Sequence, residues 1–133
     1  MTAPGFTIDR LDHVVFPVSD VEALAAFYER VLGMRVERFG EGRVAVSFGR
    51  QKINLQPAGW DYDLKAVEHR AGSQDICLIV DGSLDPVIAH LAACGIAIEE
   101  GPVGRTGATG PIRSVYFRDP DRNLVEIATY DAG

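Results

Sequence analysis

The chain has 133 residues, the size of one domain. Apolar residues make up 47% and charged residues 24%, and 13 Lys and Arg against 19 Asp and Glu leave a net charge of −6, which excludes a disordered chain and gives no phosphate-binding footprint for nucleic acid. Two cysteines are too few for a disulfide framework, and no apolar run approaches the roughly 18–20 residues that cross a bilayer.

In chain order, Met1 to Arg10 shows no basic segment followed by an apolar stretch, so the expectation is a cytoplasmic protein. Leu11 to Val18 is β-rich and reads as a strand. Asp20 then stands where a helix would be capped. Val21, Leu24, Ala25, Phe27, Tyr28, Val31 and Leu32 line one face of a helix, and Gly33 is placed to end it. Met34 to Phe39, Arg43 to Phe48 and Lys52 to Gln56 read as three strands, punctuated by glycines and stopped by Pro57. Ala58 to Gln74 has no strong period and reads as a loop with room for one helical turn.

The second half repeats the pattern. Asp75 to Val80 is a strand and Leu84 to Cys94 a helix, with Asp81, Ser83 or Asp85 as its cap and Gly95 as its end. Ile96 to Glu100 reads as a strand, Gly101 to Pro111 as a Gly-rich loop, Ile112 to Arg118 as a strand, and Leu124 to Thr129 as the last strand after the turn at Asp119 to Asn123. His13 to Gly33 and Asp75 to Gly95 each span 20 positions and each run strand, cap, helix, glycine. The order β-α-β-β-β therefore occurs twice, which predicts an internal duplication in an α+β chain, with module one over about 8–57 and module two over about 74–130.

Side chains alternate across a strand. Val14, Phe16 and Val18 share one face of the first strand, and His13, Val15 and Pro17 the other. Ile76, Leu78 and Val80 oppose Asp75, Cys77 and Ile79; Val125 and Ile127 oppose Leu124, Glu126 and Ala128; Ile53 and Leu55 oppose Lys52, Asn54 and Gln56. Each strand thus has an apolar face suited to packing under a helix and a second face with one or more polar residues. Convergence of His13, Asp75, Glu126 and an amide from Asn54 or Gln56 on one concave cleft predicts a site for a borderline divalent ion, Zn, Ni, Co, Mn or Fe, whose charge the two carboxylates balance. Around that cleft, Cys77 lies two residues from Asp75 on the same strand face and reads as a buried, inert thiol. Arg105 sits in a loop able to close on an anionic ligand. Trp60 and Tyr62 are placed to wall the cleft. His69 falls in the central loop, where no spacing argument locates it.

The duplication, the opening LDHVVFPVSDVEALAAFYERVLGM and the closing FRDPDRNLVEIATY resemble the vicinal oxygen chelate superfamily of glyoxalase I, bleomycin-resistance proteins and extradiol dioxygenases. SQDICLIV and the stretch from IEEG to NLVEI are similar to its single-domain glyoxalase domain-containing, lactoylglutathione-lyase-like members. The resemblance implies tandem βαβββ modules whose mixed sheets curl around a metal and ligand cleft, with His13, Gln56 or Asn54, Asp75 and Glu126 at the ligand positions. It departs from the glyoxalase pattern at Asp75, where a histidine is usual, and at Asn54, where a glutamate is usual. The implied function is a metal-dependent lyase or isomerase acting on a small substrate with vicinal oxygens through a metal-stabilised enolate, with Glu126 as catalytic base. The alternative is a metal-free drug- or metabolite-binding protein of the bleomycin-resistance type. Open sheet edges and the resemblance both point to a homodimer.

Overall fold

A computed structural model of the chain describes residues 3–61 and 63–131. The first module consists of β1 (His13–Val18), α1 (Val21–Leu32), β2 (Arg35–Phe39), β3 (Arg43–Phe48) and β4 (Gln51–Pro57). The second consists of β5 (Asp75–Ile79), α2 (Asp85–Ala93), β6 (Glu100–Gly107), β7 (Gly110–Arg118) and β8 (Leu124–Thr129). Each module builds one four-stranded mixed sheet, in the orders β1-β4-β3-β2 and β5-β8-β7-β6. The first and last strands of a module pair in parallel, and the other pairs are antiparallel. The identical orders show the expected tandem fold.

Local chemistry sets the ends of α1. The Asp20 carboxylate accepts from the Ala23 N–H at 3.0 Å, satisfying an otherwise free donor of the first turn. Gly33 closes the helix in the left-handed conformation, at φ 68°. The second helix differs from expectation: Leu84 occupies its N-cap and offers no side-chain bond, while Ser83 Oγ accepts from the Asp85 N–H at 2.9 Å.

The apolar faces of both sheets meet in one core around α1. Phe16, Val18, Ile53 and Leu55 from the first sheet, and Val115, Phe117, Val125 and Ile127 from the second, join Leu24, Phe27, Tyr28 and Val31 in a single buried cluster. Phe27 lies 5.5 Å from Tyr28 and 6.4 Å from Phe117, so one helix serves two sheets. A polar knot fixes the seam. The Tyr28 hydroxyl donates to Asp119 Oδ2 at 2.7 Å, and Asn123 Nδ2 donates to the same oxygen at 2.8 Å. The backbone N–H groups of Asp121 and Asn123 supply the other oxygen of this buried carboxylate. Burial, with the Asp119 charge second, pushes the Tyr28 hydroxyl far above its ordinary pKa and keeps it a donor.

One expected loop is a strand. Gly101 to Gly107 belongs to β6, which pairs with β7 from Glu100↔Tyr116 to Gly107↔Gly110, with a bulge after Glu100. Glycine is disfavoured in strands unless a neighbour comes close, and two such approaches occur here. A Cβ on Gly101 would lie 2.3 Å from the Ser114 carbonyl oxygen, and one on Gly107 would lie 2.4 Å from the Tyr130 hydroxyl. The glycines mark tight packing and not a mobile connection. Among the described residues no helix is long and apolar enough to cross a membrane.

Candidate functional site

Because the apolar faces look inward, the polar faces look away from the shared core. The first face is built on β1 and β4 in the register His13↔Lys52, Val15↔Asn54 and Pro17↔Gln56. The second is built on β5, β8 and β7 in the register Asp75↔Leu124↔Arg118 and Cys77↔Glu126↔Tyr116. The expected convergence of four ligands within one chain is therefore not found. His13, Asn54 and Gln56 share one face, Asp75 and Glu126 the other, and among the described residues no group of three His, Cys, Asp or Glu could hold a metal ion. Alternation tells which residues share a face of one sheet but not how the faces of two sheets stand to each other.

On the first face, His13 is exposed and its Nδ1 lies 2.8 Å from the Asp12 carboxylate. That hydrogen bond holds the Asp12 carboxyl below its usual pKa and leaves Nε2 without this partner. His13 and Cys77 both line a groove of about 110 Å³ where the edge strands β1 and β5 adjoin. Deeper in the face, Asn54 and Gln56 are 4% and 7% exposed. Gln56 Oε1 is engaged by His69 Nε2 at 3.0 Å, so this side chain does not present its oxygen to a ligand. Sequence reasoning left His69 unplaced because its partner lies 13 residues away across an aperiodic connection. Among the described residues, two buried atoms have no hydrogen-bond partner, Asn54 Oδ1 and His69 Nδ1, and an unmatched buried polar atom costs about 1–3 kcal/mol.

The second face is a polar cavity of about 520 Å³ lined by Asp75, Glu99, Glu100, Arg105, Tyr116, Arg118, Leu124 and Glu126. Its arginines are matched. Arg118 Nε bonds Glu99 at 2.7 Å; Arg105 bonds Glu100 at 3.2 Å and the Tyr116 hydroxyl at 3.0 Å. Arg105 thus stands on β6 in a fixed network, which corrects its placement in a closing loop. Among the described residues no ion pair involves Asp75 or Glu126. Glu126 is half-buried; Ser114 Oγ donates to its Oε2 at 2.5 Å, and the Tyr116 hydroxyl and Cys77 thiol also lie against its carboxylate. Cys77 is exposed and not buried as expected. Desolvation, then the charge of Glu126, pushes its thiol up to about 11, so it is no nucleophile near neutral pH. Trp60 follows β4 on the connection and is partly exposed; Tyr62 lies outside the described residues.

Two half-sites result. The first holds His13 and Asn54, the second the carboxylates of Asp75 and Glu126, which form none of the ion pairs among the described residues. An imidazole, an amide oxygen and two carboxylates are donor types that could hold a borderline divalent ion.

Residues 10–127 match the family model described as the Glyoxalase/Bleomycin resistance protein/Dioxygenase superfamily. A virulence protein of Salmonella typhimurium is 47% identical over 92% of this chain and 85% of its own length. A glyoxalase domain-containing protein of Mycosarcoma maydis is 47% identical over 93% of this chain and 70% of its own length. An integron cassette protein from V. cholerae superposes with a TM-score of 0.91 at 49% identity, over 95% of this chain and 98% of that one. The tandem modules and these likenesses agree: the chain belongs to the glyoxalase, bleomycin resistance protein and dioxygenase superfamily.

Proposed function

We propose that the protein is a metal-dependent lyase or isomerase of the glyoxalase class, acting on a small substrate with vicinal oxygens, and that two copies of the chain complete its site. The observation that carries this reading is the split donor set: His13 and Asn54 on one outward face, Asp75 and Glu126 on the other. A second copy related by a two-fold axis would bring the first face of one chain against the second face of the other, twice. Exposed Phe6, Ile8 and Leu11 before β1, with Leu64, Val67 and Ile79, supply apolar surface for such pairing.

The residues that would hold the ion are His13, Asn54, Asp75 and Glu126. When bound, a divalent ion supplies a Lewis acid toward the substrate's oxygens. Glu126 then has the features of a base. Ser114 fixes one of its oxygens, and the other is able to accept a proton from a carbon beside a carbonyl. Asp75 contributes charge and Tyr116 a hydroxyl held by Arg105, whose proton burial helps retain against ionisation. The polar second cavity favours a hydroxylated or carboxylated substrate over an apolar one.

The test is loading with Mn, Co, Ni and Zn followed by elemental analysis of the folded protein. About one ion per chain is expected, because a two-fold pair holds two sites; none after loading removes this reading. The second reading, a metal-free binding protein, is favoured by one observation, the absence of a three-ligand group within a single chain among the described residues. It predicts small-molecule binding that a chelator leaves unchanged.

A further inference from the structure

The connection between β4 and β5 returns a histidine to the first polar face. His69 is half-buried, and its Nε2 lies 3.0 Å from Gln56 Oε1. An amide oxygen only accepts, so Nε2 carries the hydrogen and Nδ1 carries the lone pair. That Nδ1 is buried without a partner, as is Asn54 Oδ1. Asn54 and Gln56 stand two residues apart on β4 and share its outward face. The cross-strand neighbours of Asn54 are Val15 and Ala45, whose side chains donate nothing. Lys52, the next residue on that face, lies 3.9 Å over the Phe39 ring and is turned toward β2. Among the described residues, two neutral acceptors are therefore enclosed on one face with no donor to meet them.

We propose that His69 is a metal ligand through Nδ1, sharing one ion with Asn54 Oδ1, and that Gln56 is the residue that sets its tautomer and aim. An imidazole whose other nitrogen donates to a carbonyl is the arrangement that orients metal-bound histidines. Around Asn54 the first face offers imidazole and amide groups, with the carboxylate of Glu37 in the same cross-strand row but two strands away, and this nearest donor set suits cobalt, nickel or zinc over calcium or magnesium. The inference rests on the metal reading above and deepens it: the connection between the modules becomes part of the site, and Gln56 becomes a positioning residue.

The experiment uses the full chain, Co²⁺ alone, and the paramagnetically shifted imidazole N–H signals that vanish in D₂O. The wild type is expected to show two, one from His13 and one from His69. His69→Gln should lose one signal and weaken Co²⁺ binding about tenfold or more, and Gln56→Leu should weaken it about 10–100-fold. His69 is on a connection and not in the core, so unchanged circular dichroism is expected for its variant. Wild-type protein that binds Co²⁺ but shows one signal, kept in His69→Gln at unchanged affinity, would overturn this inference and leave the metal reading standing. Wild-type protein that binds no Co²⁺ would overturn both.

Discussion

Cys77 shows how a neighbour sets a side chain's chemistry. Its thiol sits beside the Glu126 carboxylate, and burial and that charge raise its pKa to about 11. A raised thiol pKa keeps the thiolate scarce, at about one part in a thousand at pH 8, against about a quarter for an ordinary thiol. In a Cys94→Ser background, iodoacetamide should therefore label Cys77 slowly at pH 8 and faster as pH rises toward 11. Glu126→Gln removes the negative charge, lowers the thiol pKa and should speed labelling at fixed pH. A labelling rate at pH 8 equal to that of free cysteine would refute the placement. The same Glu126→Gln change bears on catalysis. Once a substrate is known, it should cut turnover about 10²–10⁴-fold beyond any loss of metal, the usual contribution of a general base; full turnover with metal bound would remove Glu126 from that role.

Among the elements, β6 and α1 carry the sharpest expectations. Gly101→Ala drives a Cβ into the Ser114 carbonyl, whereas a Cβ on Gly104 meets nothing within 4 Å. Urea unfolding should show Gly101→Ala as destabilising by several kcal/mol and Gly104→Ala within about 0.5 kcal/mol of wild type. Equal midpoints would mean that β6 does not pack as described. Tyr28→Phe removes a donor from the buried Asp119 carboxylate and should cost about 1.5–3 kcal/mol, the range for hydrogen bonds to charged groups. Most of these elements are legible in the sequence because local signals agree with the fold: Asp20 caps, Gly33 closes, and Val14, Phe16 and Val18 alternate with His13, Val15 and Pro17. The strand at Gly101 to Gly107 is not, since its glycines answer a crowding that only the neighbouring strand creates. His69 is not legible either, because its partner Gln56 belongs to another element and no spacing connects them. The polar faces could be read residue by residue, but their orientation depends on α1 being shared by two sheets, which no single strand records.

For the whole molecule, candidate donors divided between two sheets bear on assembly. Sedimentation equilibrium at micromolar concentration should give twice the 14.4 kDa chain mass. Mixing tests who completes whom. His13→Ala damages only the first face and Glu126→Gln only the second. If each site draws its two faces from different chains, random re-pairing of equal amounts restores an intact site in half the dimers, so about a quarter of all metal sites should return. If each site lies within one chain, none returns. Titration of the refolded mixture with Co²⁺ reads the difference directly.

The burial of α1 on two sides also bears on ancestry. A lone module would carry Phe27 and Tyr28 on a helix with only one sheet against it, and the surface that now meets Phe117 would face water. Such a half-length chain would be held in solution only by a partner covering that stripe, and the natural partner is another copy of itself. Gene fusion would then have joined two chains that already depended on each other, with residues 58–74 as the splice. Cutting the present chain within that splice should yield two fragments that are insoluble alone and soluble when expressed together.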